Sequence, residues 1–181
     1  MQPSQNEYGL RILYLEDNRN DAELMEEHLN SGTPVSITRV ISEDTFKQAL
    51  QKNSFDAIIS DSRLPSFDTM RALAIVKRQF PDIPFIFFSG NTHPQVKEEA
   101  LAQGATGYLN KDDMAGLISM IECIRRAKEK RKSTPPPSGK AVMVRGKGFR
   151  CLAFQDADGK WRDCLQQEEL PEVIDWVELE D

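Results

Sequence analysis

DAIISDSRLPSFDTMRALAIVKRQFPDIPFIFFSG, residues 56–90, sets one longer run with apolar residues at helical spacing between two short apolar ones. DAIIS (56–60) and PFIFF (84–88) are too short for helices and read as strands, whereas DTMRALAIVKRQF (68–80) reads as an amphipathic helix. Strand, helix, strand in this order is the unit that joins two parallel strands by a right-handed crossover.

The same alternation extends outward from this unit. Towards the N-terminus lie RILYL (11–15), AELMEEHL (22–29), VSITRV (35–40) and DTFKQALQ (44–51). Towards the C-terminus lie PQVKEEALAQ (94–103), TGYLN (106–110) and MAGLISMIECIRRAKEK (114–130). Five strands alternating with five helices predict an α/β fold with helices on both faces of a parallel sheet. In the last helix Leu117, Ile118, Ile121 and Ile124 form the stripe expected to face the sheet.

RKSTPPPSGK follows, and its three prolines must end that helix. The domain reading is an N-terminal segment 1–9, a main domain 10–132, a Pro-rich linker 133–140 and a C-terminal extension 141–181. The extension reads as short antiparallel strands, AVMVR, FRCLAFQD, KWRDCLQ and EVIDWVEL, with a hairpin turn at Asp158-Gly159. Phe154, Trp161 and Trp176 are its candidate core. Val173, Ile174, Trp176, Val177 and Leu179 offer an edge strand that could pair with another chain, so a homodimer is one expected route of output.

The 181-residue chain carries a net charge of −6, unevenly spread. Residues 1–124 hold 11 Lys/Arg against 18 Asp/Glu, 125–140 hold 7 against 1, and 141–181 hold 5 against 10. Acidic blocks oppose a phosphate backbone, and 41 residues leave no room for a helix-turn-helix with its supporting helices, so DNA binding is not expected. The basic run reads as a solvated helix end. No apolar run approaches the roughly 20 residues of a membrane span, so no membrane insertion is expected. MQPSQNEYGL has neither a basic nor an apolar signal region, and the expected location is cytoplasmic. Three cysteines without a CxxC, and two distant histidines, argue against a disulfide framework or a zinc site.

In an open parallel sheet, ligands bind beyond the carboxyl ends of the strands, where strand order reverses. Those ends carry Glu16 and Asp17, Asp61, Ser89-Gly90 and Lys111. With strand order 2-1-3-4-5, Glu16, Asp17 and Asp61 converge on one pocket. Three carboxylates repel unless a hard cation sits among them, and oxygen donors with room for water suit Mg2+. A carboxylate beside such an ion can attack phosphorus and form an acyl phosphate. Lys111 and Ser89 would then balance charge on the phosphoryl oxygens. Each residue also has a plainer reading. Asp17 and Asn18 could cap a helix, Asp61 a turn before Pro65; Ser89-Gly90 could be a turn, Tyr108 a strand aromatic and Lys111 a surface charge.

Taken together, RILYLEDN, DAIISDSRLPSFD, FIFFSG and GATGYLNKDD resemble the receiver domain of two-component response regulators, over roughly residues 10–130. The resemblance implies the flavodoxin-like doubly wound fold. It implies that Asp61 accepts a phosphoryl group from a histidine kinase or a histidine phosphotransfer protein. Glu16, Asp17, Asp61 and the backbone carbonyl of Arg63 would hold Mg2+, with Glu16 acting largely through metal-bound water. Ser89 and Tyr108 would form a switch pair, the hydroxyl moving to the phosphoryl group and the ring turning inward. That would reshape the surface of the fourth helix, fifth strand and fifth helix.

Asp112 stands where the family usually has a proline after the lysine, commonly with a cis peptide. A cis bond before a non-proline residue costs about 2.5–4 kcal/mol. Arg63 is the second departure, able to shield the pocket or to bridge to Glu16. A Mg2+-dependent phosphohydrolase would expect an acid at position 63, so no metabolite-turning enzyme is expected. The alternative is a receiver-like scaffold that acts without phosphate through its tail, for which no family is recognised.

Overall fold

A computed structural model describes residues 9–30, 35–90, 93–133, 139–146 and 149–177. Most of the N-terminal segment, residues 134–138 of the proline linker and Leu179 lie outside them. The described chain forms two compact units, residues 1–50 with 55–125, and residues 51–54 with 126–181.

The first unit alternates β1 (Leu10–Leu15), α1 (Arg19–Asn30), β2 (Val35–Val40), α2 (Glu43–Lys52), β3 (Ala57–Ser60), α3 (Thr69–Gln79), β4 (Phe85–Ser89), α4 (Pro94–Ala102) and β5 (Gly107–Asn110). Helix α5 (Met114–Ser133) follows, its first residues in this unit and its basic end in the second. The strands form one parallel sheet in the order β2-β1-β3-β4-β5, as the sequence predicts. Register pairs Leu15 with both Val40 and Ser60, Ser60 with Phe87, and Ser89 with Asn110. The strand ends that carry the candidate residues are therefore level along one edge.

Period-two alternation sends the strand side chains into two layers. Leu13, Leu15, Ile58, Phe85 and Phe87 pack with Phe46 of α2, Leu73 and Val76 of α3 and Ala100 of α4. Leu10, Ile12, Tyr14, Ile59 and Ile86 pack with Met25 and Leu29 of α1 and Leu117 and Ile121 of α5. Fully burying a side chain such as Leu13 contributes about 1.5–3 kcal/mol. The predicted stripe of α5 holds at Leu117, Ile121 and Ile124, but Ile118 is exposed. Met114 and Met120 complete the packed face instead, because i, i+3, i+4, i+7 spacing from Leu117 runs through 117, 120, 121 and 124, with Met114 three residues before it.

In α3 the Asp68 carboxylate accepts hydrogen bonds from the Met70 and Arg71 amides at 3.0 and 3.2 Å, capping two otherwise open donors. Among the described residues, no helix is long and apolar enough to cross a membrane.

The second unit is built on a four-stranded antiparallel sheet, β8-β7-β6-β9, from β6 (Val142–Gly146), β7 (Phe149–Gln155), β8 (Trp161–Asp163) and β9 (Val173–Val177). Val142, Val144 and Ala153 are its fully buried centre, with Phe149, Trp161 and Trp176 packed around them. Phe154 is half-buried and stands outside this cluster. β9 is an edge strand beside β6. The β7–β8 turn has Gly159 at φ 78°, a conformation glycine adopts without strain. KWRDCLQ gives only three strand residues because the Asp163 carboxylate accepts from the amides of Leu165, Gln166 and Glu168, folding the chain into a turn.

Candidate functional site

Glu16, the first residue past β1, is 1% exposed. A buried carboxylate needs partners, and it has three. The Tyr14 hydroxyl donates to Oε2 at 3.0 Å, the Asn18 amide to Oε1 at 2.9 Å, and Lys111 Nζ lies 2.7 Å from Oε2. Tyr14 lies two residues earlier on the same strand, which puts its side chain on the same face. Burial and the neighbouring Glu16 charge push the Tyr14 hydroxyl far above its ordinary pKa, so it stays a donor.

Asp61 follows β3 directly, and its amide donates to the Leu15 carbonyl at 3.0 Å. Its Oδ1 accepts from the Ser89 hydroxyl at 2.7 Å and the Arg63 amide at 3.1 Å, and its Oδ2 lies 2.9 Å from Lys111 Nζ. Burial raises the Asp61 carboxyl, but the Ser89 hydroxyl, Lys111 and the Arg63 amide outweigh it and hold the group below its ordinary value. Asp61 is thus the anion that two strand ends and one turn converge on.

Lys111 leaves β5 in a turn fixed by local bonds. Its amide donates to the Ser89 carbonyl at 3.2 Å, the Asp112 amide to Asn110 Oδ1 at 2.9 Å, and the Asp113 amide to the Asn110 carbonyl at 2.8 Å. No cis peptide occurs among the described residues, so the Lys111–Asp112 bond is trans. The ammonium contacts Glu16, Asp61 and also Asp21, at 2.5 Å. Burial lowers the lysine, but the Asp21, Glu16 and Asp61 carboxylates more than offset it and leave it raised.

Glu16, Asp61, Ser89 and Lys111 are therefore brought together. Asp17 is not among them. Its carboxylate is exposed and, among the described residues, has no hydrogen-bond or ion-pair partner. Its backbone carbonyl accepts from Arg39 Nη2 at 2.5 Å, while Arg39 Nε donates to the Glu16 carbonyl at 2.7 Å. Asn18 caps α1, its side-chain oxygen accepting from the Asn20 amide at 2.9 Å. The Arg63 side chain is exposed and makes no bridge to Glu16.

Both residues expected to switch already stand inward. Ser89 is buried and bonded to Asp61, and the Tyr108 ring is buried and stacked on Phe87 with centroids 5.5 Å apart. Ser62 Oγ lies 2.7 Å from Ser89 Oγ, and the Ser62 carbonyl accepts from the Thr69 hydroxyl at 3.0 Å.

Glu16 and Asp61, with the exposed Asp17 beside them, are oxygen donors whose chemistry fits a hard cation, while Asp21 is committed to Lys111. As the side chains lie, no group of three acidic, His or Cys residues among the described ones is close enough to hold a metal. The Lys111 ammonium takes that charge instead.

Sequence reasoning missed Asp21, Ser62, Tyr14 and Arg39. Asp21 carried no signal of its own, because Asp17 stands before α1 and no helical spacing ties the two side chains together.

Residues 12–122 match the family model described as the response regulator receiver domain, leaving the tail outside the match. The Bradyrhizobium diazoefficiens transcriptional regulatory protein FixJ is 31% identical over 121 residues, 63% of this chain and 58% of that protein. The Proteus hauseri DNA-binding transcriptional regulator NtrC is 33% identical over 76 residues, 41% of this chain but 16% of that protein. The Arabidopsis thaliana two-component response regulator ARR12 is 28% identical over 57% of this chain and 17% of its own length. The chain thus spans only a minor part of most of these relatives. Among solved structures, the receiver domain of Francisella response regulator 1452 shares 21% identity at a TM-score of 0.59, covering 65% of this chain and 98% of that one. The receiver domain of a Pseudomonas fluorescens HD domain-containing protein shares 20% identity at 0.61, covering 74% of this chain and 100% of that one. The fold and the matched stretch, more than half of the chain, agree: this chain belongs to the response regulator receiver domain family.

Proposed function

We propose that this chain is a response regulator of a two-component phosphorelay, with Asp61 as the phosphoacceptor. One observation carries the reading. Asp61 is ionised, half-enclosed and aimed at by Ser89, Lys111 and the Arg63 amide at 2.7 to 3.1 Å. In the transfer, a carboxylate oxygen of Asp61 attacks phosphorus while the phosphorus–nitrogen bond of a phosphohistidine breaks. The imidazole leaves with the bonding electrons and takes up a proton. Ser89 is placed to exchange the Asp61 carboxylate for a phosphoryl oxygen and Lys111 to pair with another, which is positioning and charge balance rather than covalent work.

Glu16, Asp17, Asp61 and the Arg63 carbonyl would hold Mg2+, with Glu16 acting through metal-bound water. The ion would neutralise charge developing on the transferred group. For Asp17 this requires its exposed carboxylate to swing in. The switch, with Ser89 and Tyr108 already inward, is a change of acceptor at Ser89 that stabilises this arrangement and the surface of α4, β5 and α5.

Donors are a histidine kinase or a histidine phosphotransfer protein, and the location is cytoplasmic. We place the receiver at residues 10–132, the linker at 133–140 and the output extension at 141–181. Relatives such as the Proteus hauseri regulator are named as DNA-binding; in the described tail the β9 edge strand supports output through protein contacts, including a homodimer. No metabolite turnover is proposed.

A second reading, a phosphate-independent adaptor, is favoured by the inward Ser89 and Tyr108 of the unphosphorylated chain. Intact mass after incubation with Mg2+ and acetyl phosphate separates the two. One phosphoryl adduct on the wild type and none on Asp61→Asn supports the phosphorelay. No adduct from acetyl phosphate or from a panel of phosphohistidine donors supports the adaptor.

A further inference from the structure

A lysine ammonium has three N–H donors, and those of Lys111 are occupied by Glu16, Asp21 and Asp61. A phosphoryl oxygen can reach Lys111 only by displacing one of them. The three are not equally displaceable. Glu16 is 1% exposed and also takes the Tyr14 hydroxyl and the Asn18 amide, so moving it would strand buried donors. Asp61 is the group to be phosphorylated, so it keeps its charge, and with it the lysine on Oδ2, until the phosphoryl group has arrived. Asp21, in the first turn of α1, is 35% exposed, and Lys111 is the only partner of its carboxylate among the described residues. Water can replace the lysine there at little cost.

We propose that Asp21 is the positioning residue that holds Lys111 in the resting state and is exchanged for a phosphoryl oxygen when Asp61 is loaded. It thereby sets how much phosphodonor the site needs. Asp21 acts through Lys111 and also adds a negative charge that repels an incoming phosphoryl dianion. This inference rests on the phosphoacceptor reading above and deepens it.

The test compares the wild type, Asp21→Asn, Asp21→Glu and Asp61→Asn as full chains, with Asp21→Ala as the substitute should Asp21→Asn not fold. The first readout needs neither metal nor phosphodonor: the rate of reductive methylation of Lys111, followed by peptide mass. An ion pair of this partly exposed kind is expected to slow it about threefold to tenfold. Asp21→Asn should therefore methylate faster by that factor, with Asp21→Glu close to the wild type. The second is the acetyl phosphate concentration for half-maximal adduct rate. It should fall by a similar factor in Asp21→Asn while the maximal rate stays within twofold, a split that a merely structural role would not produce. Equal methylation rates, or an unchanged or higher half-maximal concentration, overturn the role of Asp21. A wild type that takes no phosphoryl group from any donor overturns the phosphoacceptor reading and this inference with it, whatever the methylation rates.

Discussion

Lys111 is the residue on which the site balances, since its single ammonium pairs with a nearly inaccessible Glu16 and two further carboxylates. Removing one partner of a buried pair leaves an uncompensated charge, and with the lysine itself 22% exposed Lys111→Met is expected to lose about 1–3 kcal/mol of stability. Urea unfolding at neutral pH measures this, and an unchanged midpoint would contradict it. The pH dependence follows from the directions of the two shifts. Asp61 is held low, so its contribution is full above the unfolded value of about 3.9 and is lost as pH falls through the folded value. Lys111 is held high, so its contribution is full below about 10.4 and is lost only as pH rises through the still higher folded value. The stability difference between wild type and Asp61→Asn should therefore be flat from about pH 5 to 9 and shrink below about pH 4. A difference that grows on acidification would contradict the ion-pair geometry. At this scale Asp61, Glu16, Ser89 and Lys111 were legible because strand ends follow from topology. Asp21 was not, because its role depends on how far one lysine reaches.

At the scale of elements, caps and turns decide what hydrophobic spacing leaves open. Asp68 caps α3 through two amides, and Asp68→Ala is expected to cost about 1 kcal/mol, read as a lower urea midpoint. No change would mean that water satisfies both amides as well. In the tail, a Cβ added at Gly146 would sit 2.0 Å from the Phe149 ring, which packs on the tail core. Gly146→Ala should displace that ring and destabilise the unit by about 1–3 kcal/mol. Trp161 and Trp176, the chain's two tryptophans, both pack in that core and report it by fluorescence. An unshifted fluorescence transition would show that the ring finds room elsewhere. Helices and strands of the receiver were readable because their periods differ. β8 came out shorter than the KWRDCLQ run read as a strand because Asp163 offers three amides a better acceptor than a strand partner does.

For the whole molecule, the proposed function asks the receiver to take up a phosphoryl group and the small β unit on the same chain to pass on the change. The receiver half was legible because its chemistry sits at fixed positions on a repeated topology. The tail was legible only as strands, since its described charges, Asp156 with Arg162 and Lys160 with Glu169, pair with one another and mark no ligand. The claim on which all else depends is that Asp61 itself carries the phosphoryl group. The most direct test is to incubate the chain with a phosphorylated histidine phosphotransfer domain and Mg2+, reduce the product with borohydride and map the peptides. An aspartyl phosphate at position 61 would be recovered as homoserine there and at no other aspartate, and Asp61→Asn would leave the donor phosphorylated. Reduction at another residue, or transfer to the Asp61→Asn chain at the wild-type rate, would contradict it.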